Sequence, residues 1–425
     1  MFERLLLLAF FSYPITALPT PRGVESQSSV QVAAVTDSAS YIVALKPNTV
    51  DPNARGEWLN TVLANGGHRR RDVATTAGSD LRLKWNETIF NGLAGTFSQA
   101  EIETLGGLDE VKYVQADLIL HTTATVTQSN APWGISRVSR GGNPLPDGSD
   151  PAALNFMYNF DDSGGRGVDI YVLDTGVRTT HQEYGGRAQF LATFGPGTPG
   201  VDLNGHGSHV SGTAAGSVFG IAKNANIIGI KCMGDDGAGA TSDIVSAINL
   251  AANTAVTTGR PSVVSMSIGG SANQAIDDAV TNAVDALNIP FVVAAGNNGA
   301  DASTTSPARL GGPGGNSGVI TVGATTITDA FATFSNFGNN VDVLAPGQDV
   351  LSCGIDSDSA VQSRSGTSMS TPHVSGLAAL IMGQEGKISP AALKQKLVGL
   401  SALGVVIGLP TGTTNTLVNN DPALV

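Results

Sequence analysis

Several kinds of residue and run are scarce in this chain, and each shortage closes off a class of protein. Cys232 and Cys353 are the only thiols in 425 residues, which rules out a disulfide scaffold or a Cys-rich zinc ribbon and allows at most one intrachain bridge. Charged residues make up 14% of the chain and apolar ones 41%, where globular proteins average about 25% charged. A disordered chain has the opposite balance. Basic residues are the scarcer sign, 23 against 35 acidic for a net charge of −12. That balance repels phosphate backbones and anionic lipid, so neither nucleic acid nor a membrane is an expected partner. Long apolar runs are missing as well. The one near a terminus, Leu5 to Phe11, falls well short of the roughly 20 residues a bilayer-spanning helix needs. With Tyr13-Pro14 and the small Ala17 behind it, it reads as a secretory signal over residues 1–17, removed on export to the extracellular space.

Glycine is abundant, at 53 residues, nearly twice the average share of about 7%. It has no G-X-Y period, which excludes collagen, and no repeat of 20 to 50 residues is evident. Residues 41–120 read as strand (Tyr41 to Lys46), helix (Asp51 to Leu63), strands (Leu81 to Trp85 and Phe90 to Phe97), helix (Gln99 to Leu105) and strand (Val111 to Leu120). That order is the split βαβ, ferredoxin-like arrangement. Asn86-Glu87-Thr88 in this stretch is an N-glycosylation sequon, with Asn86 the acceptor.

Beyond about Val126 the pattern becomes one of short Val- and Ile-rich runs separated by helical spacing. Expected strands are Val168 to Leu173, Ile227 to Met233, Val263 to Ile268, Phe291 to Ala294, Val319 to Gly323 and Val341 to Leu344; expected helices are His209 to Ala215, Ser242 to Ala255, Ala275 to Leu287 and Ser370 to Gly383. Unalternated apolar strands between helices predict an α/β fold whose mostly parallel sheet is covered on both faces. Sites in such sheets form at the carboxyl ends of the strands.

Three glycine-flanked clusters follow strand signals. Asp174 ends an apolar run before Thr175-Gly176, His206 lies in Asn204-Gly205-His206-Gly207-Ser208-His209, and Ser368 lies in Ser365-Gly366-Thr367-Ser368-Met369-Ser370-Thr371-Pro372-His373. Singly, each has an ordinary reading as a turn Asp, a loop His or a helix N-cap Ser. Together they supply what nucleophilic acyl transfer needs: a hydroxyl, a base to take its proton and a carboxylate to fix the tautomer of that base.

These segments closely resemble the three signature blocks of subtilisin-like serine proteases, in the Asp, His, Ser order of that family. The start Ala131-Pro132-Trp133-Gly134-Ile135, the block Ala294-Ala295-Gly296-Asn297-Asn298 and the ending Gly412-Thr413-Thr414-Asn415 are similar to its fungal proteinase K branch. The resemblance runs from about Ala124 to the C-terminus, and the preceding 80 or so residues resemble the inhibitory propeptide of those enzymes. It implies a subtilisin-like three-layer fold preceded by a small ferredoxin-like α+β propeptide domain. The implied division is a signal peptide (1–17), a propeptide (18–123, with an inhibitor domain at about 40–121) and a peptidase domain (124–425).

The implied chemistry is broad endopeptidase action with Ser368 as nucleophile, His206 as general base and acid, and Asp174 as the orienting carboxylate. Asn297 is the implied oxyanion donor, together with the Ser368 backbone N–H. Ser267-Ile268-Gly269 and Gly237-Ala238-Gly239 are the implied edges that hold an extended peptide. Ala294-Ala295-Gly296 would line an uncharged first specificity pocket suited to apolar or aromatic side chains. His209 and His373 are implied supports, and Pro372 is expected in the helix's first turn, where N–H groups lack partners in any case. No cofactor is needed for catalysis. A structural calcium is implied at Asp342, with Ser317 and Val319 in the carbonyl-donating stretch; this chain has extra residues in Arg309 to Gly315. The expected partners are protein substrates and the chain's own propeptide, which inhibits the peptidase until self-cleavage near Ala124. The Leu118 to Thr125 stretch would occupy the cleft. A monomer is expected. Whether Cys232 and Cys353 pair is open.

Other readings are weaker. A zinc site at His206 and His209 has no HExxH glutamate. An aspartic protease would need a second carboxylate to share a proton with Asp174, and the one candidate, Asp162-Ser163-Gly164, follows no apolar strand. An inactive secreted binding protein would not need the complete set of Asp174, His206, Ser368 and Asn297.

Overall fold

A computed structural model describes residues 38–66, 81–86, 90–117 and 125–420. The chain divides into two compact units, residues 1–117 and 118–425. In the first, strands β1 (Ser38–Leu45), β2 (Leu81–Asn86), β3 (Asn91–Ser98) and β4 (Val111–Ala116) alternate with helices α1 (Arg55–Asn65) and α2 (Gln99–Gly106). They form an antiparallel sheet in the order β2-β3-β1-β4. This is the split βαβ arrangement read from the sequence. Helix α1 starts later than Asp51 because that carboxylate accepts the Asn53 N–H at 2.8 Å and caps a separate 3₁₀ turn. Helix α2 has a reciprocal Ser98–Glu101 capping box. Leu59, Leu63, Leu93, Phe97 and Leu105 make a small core of their own. The signal segment, Glu87-Thr88 of the sequon and residues 118–124 lie outside the described residues, while Asn86 ends β2.

The second unit is built on one large sheet. Its elements in chain order are β5 (Thr125–Ala131), α3 (Trp133–Val138), β6 (Phe156–Asp161), β7 (Asp169–Asp174), β8 (Ala188–Thr193), α4 (His206–Ala215), β9 (Asn226–Lys231), α5 (Thr241–Thr258), β10 (Ser262–Met266), β11 (Gly270–Ser271), α6 (Gln274–Leu287), β12 (Phe291–Ala294), β13 (Thr305–Ser306), β14 (Val319–Thr325), β15 (Val343–Pro346), β16 (Val350–Cys353), β17 (Val361–Arg364), α7 (Thr367–Glu385), α8 (Pro390–Leu400), β18 (Ala402–Leu403) and β19 (Thr416–Leu417). Nine of these strands pair in the order β18-β19-β15-β14-β12-β10-β7-β9-β8. Every neighbouring pair is parallel except β18 with β19.

The side chains of β7 show why both faces are covered. Ile170 and Val172 point into a core shared with α4, α7 and α8 residues such as Val210, Val374 and Leu393. Tyr171 and Leu173 point into the opposite core, against Ile248 of α5 and Val280 of α6. With period-two alternation and both faces apolar, the strand reads as an unbroken hydrophobic run. The layers are therefore helix, sheet, helix. Cys353 lies in the first core and Cys232 in the second, on opposite faces, and both are free thiols. Burial raises the pKa of each, that of Cys353 to about 12, which keeps them protonated.

Candidate active site

The sheet order assembles the site. Strands β12, β10, β7 and β9 are consecutive neighbours, so their carboxyl ends present Asn297, Ser267, Asp174 and Met233 side by side, where ligands bind in parallel sheets. A cleft of about 690 Å³ opens there, lined by Asp174, His206, Asn297 and Ser368 together with Gly237, Ser267, Ile268, Gly269, Ala294 and Gly296. Three residues expected in the cleft are not among its lining. Ala295 is buried in a satellite core with Leu344 and Leu417. Ala238 turns its carbonyl inward to accept the Gly234 N–H at 2.6 Å. Both Ala238 and Gly239 face adjoining hollows instead.

Asp174 is buried at the end of β7, and its Oδ1 accepts from the Thr175 N–H at 2.7 Å and from His206 Nδ1 at 2.8 Å. That contact fixes the His206 proton on Nδ1 and leaves Nε2 as the basic atom. Burial by itself would lower the His206 pKa. The charge of Asp174 and its hydrogen bond outweigh burial, and the net shift is upward from the ordinary value of 6.5.

The loop carrying His206 is held by a residue that motif reading passed over. Asp202 is buried; its Oδ1 accepts from Thr175 Oγ1 (2.9 Å), Asn204 N (3.1 Å) and Gly205 N (2.8 Å), and its Oδ2 from Ser208 N (2.8 Å) and Ser208 Oγ (2.7 Å). One carboxylate thus ties the Asp174 turn to the first turn of α4, whose N-cap Gly205 has no side chain to do so. This is why the helix begins at His206 and not at His209. Gly207 is fixed by contact, since a Cβ there would sit 2.0 Å from the Gly176 carbonyl oxygen. The signal for Asp202 was a carboxylate shortly before a helix with glycines in its first turn.

Ser368 occupies the second position of α7, behind Gly366 at φ +153° and ψ +161°, a region essentially restricted to glycine. Its Oγ donates to the Ser267 carbonyl at 2.9 Å, and Ser267 Oγ donates back to the Ser368 carbonyl at 2.8 Å. The second bond has a cause in the sequence. Pro372 lies inside α7, not in its first turn as expected. It lacks the N–H that would bond the carbonyl four residues before it, and the Ser267 hydroxyl takes that carbonyl instead.

Asn297 follows β12, and its Oδ1 accepts from both the Thr367 N–H (2.8 Å) and the Thr367 hydroxyl (2.9 Å), leaving its amide NH₂ for the cleft. Thr367 Oγ1 also accepts the Gly296 N–H at 3.1 Å. Buried Asn336 staples the rest of this loop, donating to the Ala295 carbonyl and accepting the Asn298 and Ala300 N–H groups at 3.0 Å each.

His209 and His373 are fully buried, with pKa values lowered by burial to about 3 and about 4. His209 Nε2 bonds the Val350 and Gln362 carbonyls and His373 Nδ1 the Met369 carbonyl, so both are neutral supports. Among the described residues no cluster of three or more His, Cys, Asp or Glu side chains could hold a metal. At the expected calcium position Asp342 and Val319 do come together, around the ammonium of Lys394. Ser317 is exposed, and the ammonium instead meets the Gly312 and Asn316 carbonyls. Asp162 does not line the cleft, so Asp174 there faces an imidazole, not the second carboxylate of an aspartic protease.

The subtilase family model matches residues 165–416, more than half of the chain. The chain belongs to the subtilase family. The N-terminal segment 40–123 of this subtilase matches the peptidase inhibitor I9 family. Among its relatives are "Alkaline protease 1" of Aspergillus clavatus, 38% identical over 90% of this chain and 91% of that one, and "Subtilisin-like protease 2" of Pseudogymnoascus destructans, 37% identical over 90% and 89%. A solved cold-adapted subtilisin-like serine proteinase is 40% identical, with a TM-score of 0.61 over 68% of this chain and 98% of the other. The subtilase is a serine endopeptidase with a subtilisin-like fold and an I9 propeptide. No described helix is long and apolar enough to cross a membrane.

Proposed function

We propose that this subtilase is a secreted endopeptidase of broad specificity, made as a zymogen that processes itself, with Asp174, His206 and Ser368 as its catalytic triad. The observation that carries the assignment is the 2.8 Å His206–Asp174 contact in the cleft that Ser368 and Asn297 also line. On binding, the Ser368 hydroxyl leaves the Ser267 carbonyl and turns to His206 Nε2. Its oxygen attacks the scissile carbonyl carbon while Nε2 takes the proton. The negative charge that forms on the carbonyl oxygen is met by the Asn297 amide and the Ser368 backbone N–H, near the positive end of α7. His206 then protonates the departing amine, leaving an acyl-serine; a water deprotonated by the same Nε2 attacks the acyl carbon, the bond to Ser368 Oγ breaks, and Nε2 returns the proton to that oxygen as the acid product leaves.

An extended peptide lies between Gly237 on one side and Ser267 to Gly269 on the other, where small residues admit close backbone approach. Among the described residues, no ionisable side chain apart from Asp174 and His206 lines this cleft, in keeping with apolar or aromatic P1 residues. The I9 segment blocks the site until cleavage near Ala124, Asn86 is the glycosylation acceptor, and the enzyme acts as a monomer. Ser368→Ala is expected to accumulate as unprocessed precursor by intact mass. Fully processed Ser368→Ala from a preparation free of other proteases would refute self-cleavage.

A further inference from the structure

Proteinase K-like sequences imply a calcium ion at Asp342, and the donor atoms here are already engaged by a cation of the chain's own. Lys394 projects from α8, and its Nζ lies 2.8 Å from Asp342 Oδ1 and 2.9 Å from the Val319 carbonyl, with the Gly312 and Asn316 carbonyls at 3.4 Å. The carboxylate is otherwise satisfied by backbone, Oδ1 by the Gly312 N–H at 3.0 Å and Oδ2 by the Thr321 N–H at 2.9 Å. The Asp342 side chain is 4% exposed and that of Lys394 13%.

Calcium needs six to eight oxygens at about 2.3–2.6 Å. A primary ammonium has three hydrogens and sits at hydrogen-bond distance from its acceptors, as observed. The two cannot share Asp342 Oδ1 and the Val319 carbonyl, so the residues present do not fit calcium. The same segment that lengthens this chain, Arg309 to Gly315, contributes the Gly312 N–H to Asp342 and the Gly312 carbonyl to Lys394. The insertion and the lysine form one arrangement.

We propose that Lys394 is a tethered cation that replaces calcium at this site, so that the wall around Asp342 is held together without metal, and that removing the ammonium converts it into a calcium-responsive site. The test uses the processed enzyme blocked with a serine-directed sulfonyl fluoride, with thermal unfolding followed in EDTA and in millimolar calcium chloride. Lys394→Ala leaves a buried, uncompensated carboxylate and is expected to lower the midpoint in EDTA by about 5–8 °C. Calcium should restore more than half of that loss, and the restoration should vanish in Lys394→Ala/Asp342→Asn. A Lys394→Ala variant as stable as the parent in EDTA, or no more calcium-responsive than the parent, overturns the proposal. If the variant does not fold, equilibrium dialysis against radiolabelled calcium decides on Asp342→Asn alone: equal stoichiometry in parent and variant supports the tethered cation, and one calcium fewer in the variant overturns it.

Discussion

Thr367→Val tests whether Asn297, the proposed oxyanion donor, must be held from behind. Valine keeps the shape of threonine and deletes one hydroxyl, which here makes two contacts: it donates to Asn297 Oδ1 at 2.9 Å and accepts the Gly296 N–H at 3.1 Å. The Thr367 N–H bond to Asn297 survives at 2.8 Å, so the amide is loosened, not lost. One neutral hydrogen bond contributes about 1 ± 0.5 kcal/mol. Spending one such bond on positioning predicts a fall in kcat of roughly 2- to 12-fold, centred near 5-fold. Complete removal of an oxyanion donor sets the ceiling, about 100- to 1,000-fold in a subtilisin. On the proposed role the amide meets charge that develops only in the transition state, so KM should change little. The assay is steady-state kinetics on a peptide p-nitroanilide with an apolar P1 residue, and Thr367→Ser, which restores the hydroxyl, should recover most of the rate. An unchanged kcat, or a loss carried by KM, would refute the reasoning.

Two further outcomes follow from the geometry around His206. Asp202→Asn keeps size but turns an NH₂ toward Ser208 or toward the Asn204 and Gly205 N–H groups, losing at least one charge-assisted bond and weakening the others. The expected cost of roughly 3 kcal/mol should lower the unfolding midpoint of the inhibitor-blocked enzyme by about 5 °C, and a shift within 1 °C of the parent counts against the anchoring role. His206 must be neutral to act as base, and its folded pKa lies above 6.5. Activity should therefore rise with pH through a midpoint above 6.5, while any stability from the imidazolium–Asp174 pair is fully present below 6.5 and lost above that midpoint. A kcat/KM profile with its acid limb centred at or below 6.5 would contradict this.

The sheet and the three side chains that meet in the cleft were legible because their signals are local. Phe291 to Ala294 is read with its exact bounds since every residue is apolar and buried on both faces, and Asp174, His206 and Ser368 stand beside glycines that admit only a few backbone paths. Edge elements were harder. Strand β8, Ala-Gln-Phe-Leu-Ala-Thr, pairs on one side only, with an irregular register between Phe190 and Ala192, so it carries no continuous apolar run. Asn336 and Thr367 escaped notice for another reason: they accept backbone N–H groups from segments far away in the chain, and a short polar side chain has the same local sequence whether or not it does so. Lys394 is the extreme case. On α8 it looks like a surface lysine, and only the approach of Arg309 to Gly315 and Val319, some 75 residues earlier, makes it an internal cation.

The missing N–H of Pro372 has a mechanical consequence. In an uninterrupted helix the carbonyl of residue 368 would be locked to its own next turn, and the edge of the cleft would be free to move past it. Here the carbonyl and hydroxyl of Ser368 are both fastened to Ser267, so the end of β10 and the first turn of α7 share a joint. On the proposed reading, in which Ser267 edges the peptide groove and Ser368 is the nucleophile, a peptide that displaced Ser267 would strain the same joint that holds the Ser368 hydroxyl.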